Sequence, residues 1–155
     1  MFLTIKKIPK VSWSSKKPYN LKPNFSTFLF LCLGLIIFGV GEGLLIISST
    51  GASPWSVLAQ GISINVGFSI GLVTFFVSLF ALSLWIFLSQ KPGVGTILNI
   101  IIIATMIDIS IYFIDVPQSY LGQLSMAVFA VLLVGLGSGI YLIANLGPGP
   151  RDGLM

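Results

Sequence analysis

The sequence predicts an all-α fold of the polytopic membrane type, built as an inverted repeat. Three observations carry this: a mean hydropathy of +1.04, four apolar runs of bilayer-crossing length, and a Gly/Pro pattern that occurs twice, 96 residues apart (Gly39 to Gly135). Charged residues are 8% of the 155-residue chain, against about a quarter in soluble domains. Crossing a hydrocarbon core of about 30 Å takes about 20 helical residues. Runs 25–47, 68–88, 96–114 and 121–146 each meet that length.

Residues 1–24 mix lysine with Ser, Pro, Trp13 and Tyr19 and show no helical or strand period. They read as a flexible, basic cytoplasmic arm. Lys6, Lys7, Lys10, Lys16, Lys17 and Lys22 precede the first span, and Lys91 and Arg151 follow the second and fourth. A cytoplasmic N-terminus puts all eight cations on one side, as the positive-inside rule requires. The net charge of +4 is therefore a topology signal for the inner membrane of a bacterial cell, not a mark of nucleic-acid binding. The first span is too long for a signal-peptide core and is expected to stay in the mature protein. Cys32, the only cysteine, leaves no intrachain disulfide and reads as a small core residue.

The first span should end near Ile47, because Ser48-Ser49-Thr50-Gly51-Ala52-Ser53-Pro54-Trp55 is too small and polar to face lipid. Ser53 reads as an N-cap with Pro54 at the first helical position. A short helix over about 53–66 follows, too short to span and either interfacial, anchored by Trp55, or re-entrant. The second break is Gly147-Pro148-Gly149-Pro150-Arg151-Asp152.

The repeat reads Gly39-x-Gly41-x-Gly43-x-x-x-Ile47-x-x-x-Gly51-x-x-Pro54-x-x-x-Leu58 and returns ungapped from Gly135 to Leu154, with seven of twenty positions identical. One unit holds three spans, so the next starts from the opposite side of the membrane, an arrangement found among secondary transporters. The two breaks should then lie on opposite faces. The second unit stops at Met155, soon after it begins, so the chain is expected to hold one complete unit and the start of another. Gly39/Gly43 and Gly135/Gly139 are GxxxG pairs, expected to pack the two copies of this helix against each other, with homo-oligomerisation as a further use. They are no dinucleotide fingerprint, which must follow a strand.

Glu42 and Asp108 are ionisable groups inside spans, and such groups are functional candidates by default. Each lies about 8–9 Å below the outer end of its helix, so they could face each other. With no Lys or Arg at that depth, desolvation and repulsion favour the protonated form of at least one, able to exchange a proton beside a polar stripe of Thr105, Asp108 and Tyr112. The alternative is a pair of structural hydrogen bonds. Arg151 beside Asp152 either holds an anionic group or, as the preferred reading, marks the inner boundary. Asn99 and Gln123 read as minor helix–helix or interfacial hydrogen-bonding residues. Without histidine, and with one buried cysteine, the chain offers no metal or nucleophile constellation; neither enzyme activity nor a cofactor is expected.

Gly41-Glu42-Gly43-Leu44-Leu45, Gly51-Ala52-Ser53-Pro54-Trp55-Ser56-Val57-Leu58, Lys91-Pro92-Gly93-Val94-Gly95-Thr96 and the block Tyr141-Leu142-x-Ala144-Asn145-Leu146-Gly147-Pro148-Gly149-Pro150-Arg151-Asp152-Gly153-Leu154-Met155 resemble the YczE-like bacterial membrane proteins of the YczE/YyaS/YitT group. The resemblance covers about 27–155 and implies a multi-pass membrane protein whose relatives continue with further spans. It implies no established activity. The function expected is transport or export of a small molecule. The competing reading is a non-transporting scaffold or regulatory protein acting through helix association.

Overall fold

The computed structural model describes residues 11–17, 19–88 and 91–152. Lys6, Lys7 and Lys10 of the basic arm, and Leu154 of the repeat, lie outside them. The described residues form five helices and no strand: α1 (Phe25–Ile47), α2 (Pro54–Val66), α3 (Ile70–Leu84), α4 (Val94–Phe113) and α5 (Tyr120–Ala144). α1, α4 and α5 are each long and apolar enough to cross a membrane. α2 and α3 meet at a 116° bend and count as a fourth crossing only if taken as one broken span. The apolar run 68–88 is helical only over the 15 residues of α3. That gives about 22 Å of helix, short of the hydrocarbon thickness.

The bend has local causes. Gly67 ends α2 in the left-handed region at φ 75°, and Ser69 caps α3 by accepting from Leu72 N. α2 itself opens on Ser53, whose side chain accepts from Ser56 N, with Pro54 next.

α1 is the central helix, packed between α4 and α5. In lipid the apolar effect does not draw helices together, so close backbone approach has to do so. The glycines show where this happens. A Cβ at Gly34 would lie 2.7 Å from Tyr141 N, and one at Gly41 would lie 2.9 Å from Val134 N. On the other side, Gly39 meets Ile103 and Met106, and Gly43 meets Ser110 and Ile107. α1 and α4 are thus parallel, while α1 and α5 are antiparallel. Gly71 meets Ala104 and Asp108, whereas Trp85, just past the other end of α3, reaches the chain beyond α5; α3 runs against α4.

This corrects the expected use of the GxxxG pairs. Gly39 and Gly43 pack on α4, and Gly135 and Gly139 have nothing within 4 Å. The α1–α5 crossing is made by Gly34, Gly41 and Gly137 instead. Residues two apart on a helix point roughly oppositely, so Gly41 faces α5 while its neighbours at 39 and 43 face α4.

The core joins Leu31, Leu35 and Phe38 of α1 to Ile103 and Ile107 of α4, Tyr141 and Ala144 of α5, and Leu146. Outward-facing Phe80, Phe87 and Leu132 are exposed, as lipid-facing side chains should be. The expected flexible arm is also corrected where it is described. Ser15 N donates to Ala144 O at 3.0 Å, Thr27 Oγ1 donates to Trp13 O at 2.6 Å, and Trp13 stacks on Phe30 with ring centroids 4.5 Å apart. Residues 13–15 therefore close the ends of α1 and α5.

Candidate functional site

Two interruptions of helix converge on one carboxylate. After α1 the chain turns back so that Ser53 and Ser56, at the start of α2, reach Glu42. Glu42 Oε2 accepts from Ser56 Oγ at 2.6 Å and from Ser53 Oγ at 3.0 Å. A carboxylate here also complements the positive end of α2. Glu42 is 4% exposed, and its other oxygen faces the second interruption.

That second interruption follows α5. Asn145 and Gly147 adopt positive φ values of 54° and 110°, turning the chain back toward the bundle. Gly95 N donates to Leu146 O at 2.8 Å, which satisfies one of the orphan N–H groups that open α4. Thr96 Oγ1 donates to Pro148 O at 2.7 Å, and Trp85 Nε1 to Pro150 O at 3.0 Å. Pro150 is fully buried. The segment so fixed carries Arg151 and Asp152 inward.

Arg151 lies over the Phe38 ring, 5.5 Å from its centroid, near the middle of α1. Its Nη1 is 3.9 Å from Glu42 Oε1, and its Nε is 3.7 Å from Asp152 Oδ1. Asp152 Oδ2 accepts from Gly149 N and from the hydroxyl of Tyr141. Arg151 is therefore no boundary marker but part of an interior cluster, and the premise that no cation stands near Glu42 fails. The two breaks begin at opposite ends of the bundle, one past the C-terminal end of α1 and the other beside the start of α4, but both run inward and line one cavity of about 40 Å³. Ser78 of α3 and Asn99 of α4 also line it.

Glu42 and Asp108 stand at one level, since Gly43 faces Ser110 and Ile107, but they do not form a pair. Asp108 accepts from Ser69 Oγ at 2.6 Å and from Gly71 N at 2.7 Å. It caps α3 from a neighbouring helix, as a carboxylate at a helix N-terminus should. Thr105 bonds to Ile101 O of its own helix and is exposed, and Tyr112 is 82% exposed. The expected polar stripe thus lies away from the site. Removing the cap by Asp108→Ala is expected to destabilise the fold by about 1.5 kcal/mol, the low end for a charged hydrogen bond because the group is partly exposed. Thermal unfolding in detergent measures this, and Asp108→Asn should recover part of it.

Reading the sequence by its charges found Glu42, Arg151 and Asp152 but missed Tyr141, Ser56 and Ser78 and underrated Asn99. The usable signal for Tyr141 and Asn99 was a hydrogen-bonding group within an apolar span. Among the described residues no three His, Cys, Asp or Glu side chains come together. The cluster offers oxygen and amide donors around one guanidinium.

Fold and site together define a helical membrane protein with a small charged cavity inside its bundle. The chain belongs to the family of unknown function DUF6198, whose model matches residues 25–155. It is 36% identical over 151 residues to an uncharacterised protein of Haemophilus influenzae, covering 97% of this chain and 68% of that one. It is 33% identical over 140 residues to the uncharacterised membrane protein YczE of Bacillus subtilis, covering 83% of this chain and 60% of the relative. A third relative, the uncharacterised protein YyaS of Bacillus subtilis, is 27% identical over 131 residues, covering 82% and 65%. The chain thus spans roughly two thirds of the length of the relatives it matches. No solved structure matches.

Proposed function

We propose that this chain is a transport unit of the bacterial inner membrane, with its N-terminus cytoplasmic, that passes a small solute without covalent chemistry. One observation carries the reading: the breaks after α1 and α5, the two helices bearing the repeated pattern, meet at Glu42. Breaks of this kind expose backbone and half-helix ends where a solute can be held, and they are tolerated in a membrane only where protein or water surrounds them. The antiparallel run of α1 and α5 supports the inverted-repeat reading. Because the matched relatives are longer, the complete pathway is proposed for the whole protein.

The test is flux into proteoliposomes holding the full chain, with a panel of labelled amino acids, sugars and quaternary amines under imposed ion gradients. Saturable uptake of at least one solute is expected, and Arg151→Met should lower it at least tenfold. Absence of flux across the panel in proteoliposomes of verified folded protein overturns the reading. The scaffold reading is favoured by the open strip at Gly135 and Gly139, where the repeat's first copy holds α4. Loss of self-association in Gly135→Leu, with no flux in the parent, would decide for it.

A further inference from the structure

The polar groups around the cavity satisfy one another only in part: Glu42 Oε2 and Asp152 Oδ2 are hydrogen-bonded, but other polar atoms there are not. Asn99 is 9% exposed and Ser78 is 7% exposed, both line the cavity, and neither side chain has a hydrogen-bond partner among the described residues. Glu42 Oε1 and Asp152 Oδ1 accept no hydrogen bond among the described residues, and Arg151 stands 3.9 and 3.7 Å from them. Those separations are beyond a direct hydrogen bond. No fully buried side-chain nitrogen or oxygen lacks a partner among the described residues, so these unbonded groups are open to the cavity, where water or a ligand can pair them.

Charge narrows the ligand. Two carboxylates against one guanidinium leave the cluster with one net negative charge, in a low-dielectric setting that strengthens its pull on a cation. An anion is disfavoured by the same sum. A divalent ion would call for more oxygen ligands and more negative charge than this set supplies. Size narrows it further: about 40 Å³ admits a few waters, where about 10–15 Å³ takes one. Pockets for drug-sized organic ligands run to about 300–1,000 Å³.

We propose that the cavity bounded by Glu42, Ser78, Asn99 and Asp152 binds a small monovalent metal cation through carboxylate, hydroxyl and amide oxygens. Arg151 occupies one side of it, paired with both carboxylates. The role of this ion, as the one coupled to solute movement, rests on the transport reading; the site itself does not.

The test is thermal unfolding of the detergent-purified full chain at constant ionic strength, replacing choline chloride by lithium, sodium or potassium chloride, with calorimetric titration of the effective ion. A saturable rise in melting temperature with one alkali ion over choline is expected. Glu42→Gln and Asn99→Ala should raise the half-saturating concentration at least tenfold and Ser78→Ala several-fold, while Thr105→Ala leaves it unchanged. If Asn99→Ala does not fold, Ser78→Ala decides. Equal responses to all salts, a response to calcium but to no alkali ion, or an alkali response unchanged in both Glu42→Gln and Ser78→Ala would overturn the proposal. Alkali binding with no solute flux keeps the site and removes the transport reading; solute flux with no alkali response does the reverse.

Discussion

Replacing Gly137 by leucine is expected to abolish recovery of folded, monodisperse protein, whereas the same change at Gly135 leaves it intact. A Cβ at Gly137 would stand 2.5 Å from Phe38 N, 2.7 Å from Gly34 O and 2.8 Å from Phe38 Cα. All three are backbone atoms of α1, which cannot rotate out of the way. Gly34 presents the same obstruction in reverse, with Tyr141 N at 2.7 Å. Overpacking in a core that can adjust costs about 1–3 kcal/mol; here relief requires the two longest helices to separate, so the loss should exceed that range. Separation would also part Phe38 from Tyr141, whose rings meet edge to face with centroids 6.0 Å apart. Size-exclusion profiles and thermal unfolding in detergent read the effect. Equal damage from Gly135→Leu and Gly137→Leu would contradict the crossing described.

The second large effect concerns the segment that delivers Arg151. Gly93→Ala would bring a Cβ within 2.2 Å of Leu146 O and 3.0 Å of Gly147 Cα. This is backbone against backbone, at the place where Gly95 N holds Leu146 O. Gly147→Ala adds strain of its own, since φ 110° is a region that favours glycine. Both substitutions should push residues 146–152 away from α4, keep most of the helical content, and eliminate the alkali response and any solute flux. Gly51→Ala is the control. It is the sequence counterpart of Gly147, yet it has open space around it. Circular dichroism beside the melting assay separates loss of the segment from loss of the fold, and a normal alkali response in Gly93→Ala would remove the segment from the site.

The contrast between Gly51 and Gly147 shows what a sequence pattern can and cannot convey. The two occupy equivalent places in the repeat, but only Gly147 is pressed against a neighbouring helix. Similarly, Gly39, Gly41 and Gly43 form one motif in the chain and serve two partners in space. An apolar helix carries little amphipathic signal, so nothing in α1 itself says which side meets α4 and which meets α5. Asp108 was legible as a costly intramembrane acid, but its task of capping α3 depends on Ser69 and Gly71, which lie 39 and 37 residues away.

By itself the sequence determined the membrane class, the all-helical fold and the family, because hydropathy, run length and motif identity are properties of consecutive residues. It also located the breaks, because Gly, Pro and Ser act on the backbone where they stand. Only the tertiary structure decided that both breaks meet at Glu42, that Arg151 lies inside the bundle rather than at its edge, and that Asn99 and Ser78 face the same cavity. Those facts arise from helices that cross through small residues and from Trp85 and Thr96 holding a distant segment. Contacts of that kind are set by three-dimensional packing, which the order of residues specifies only once the chain has folded.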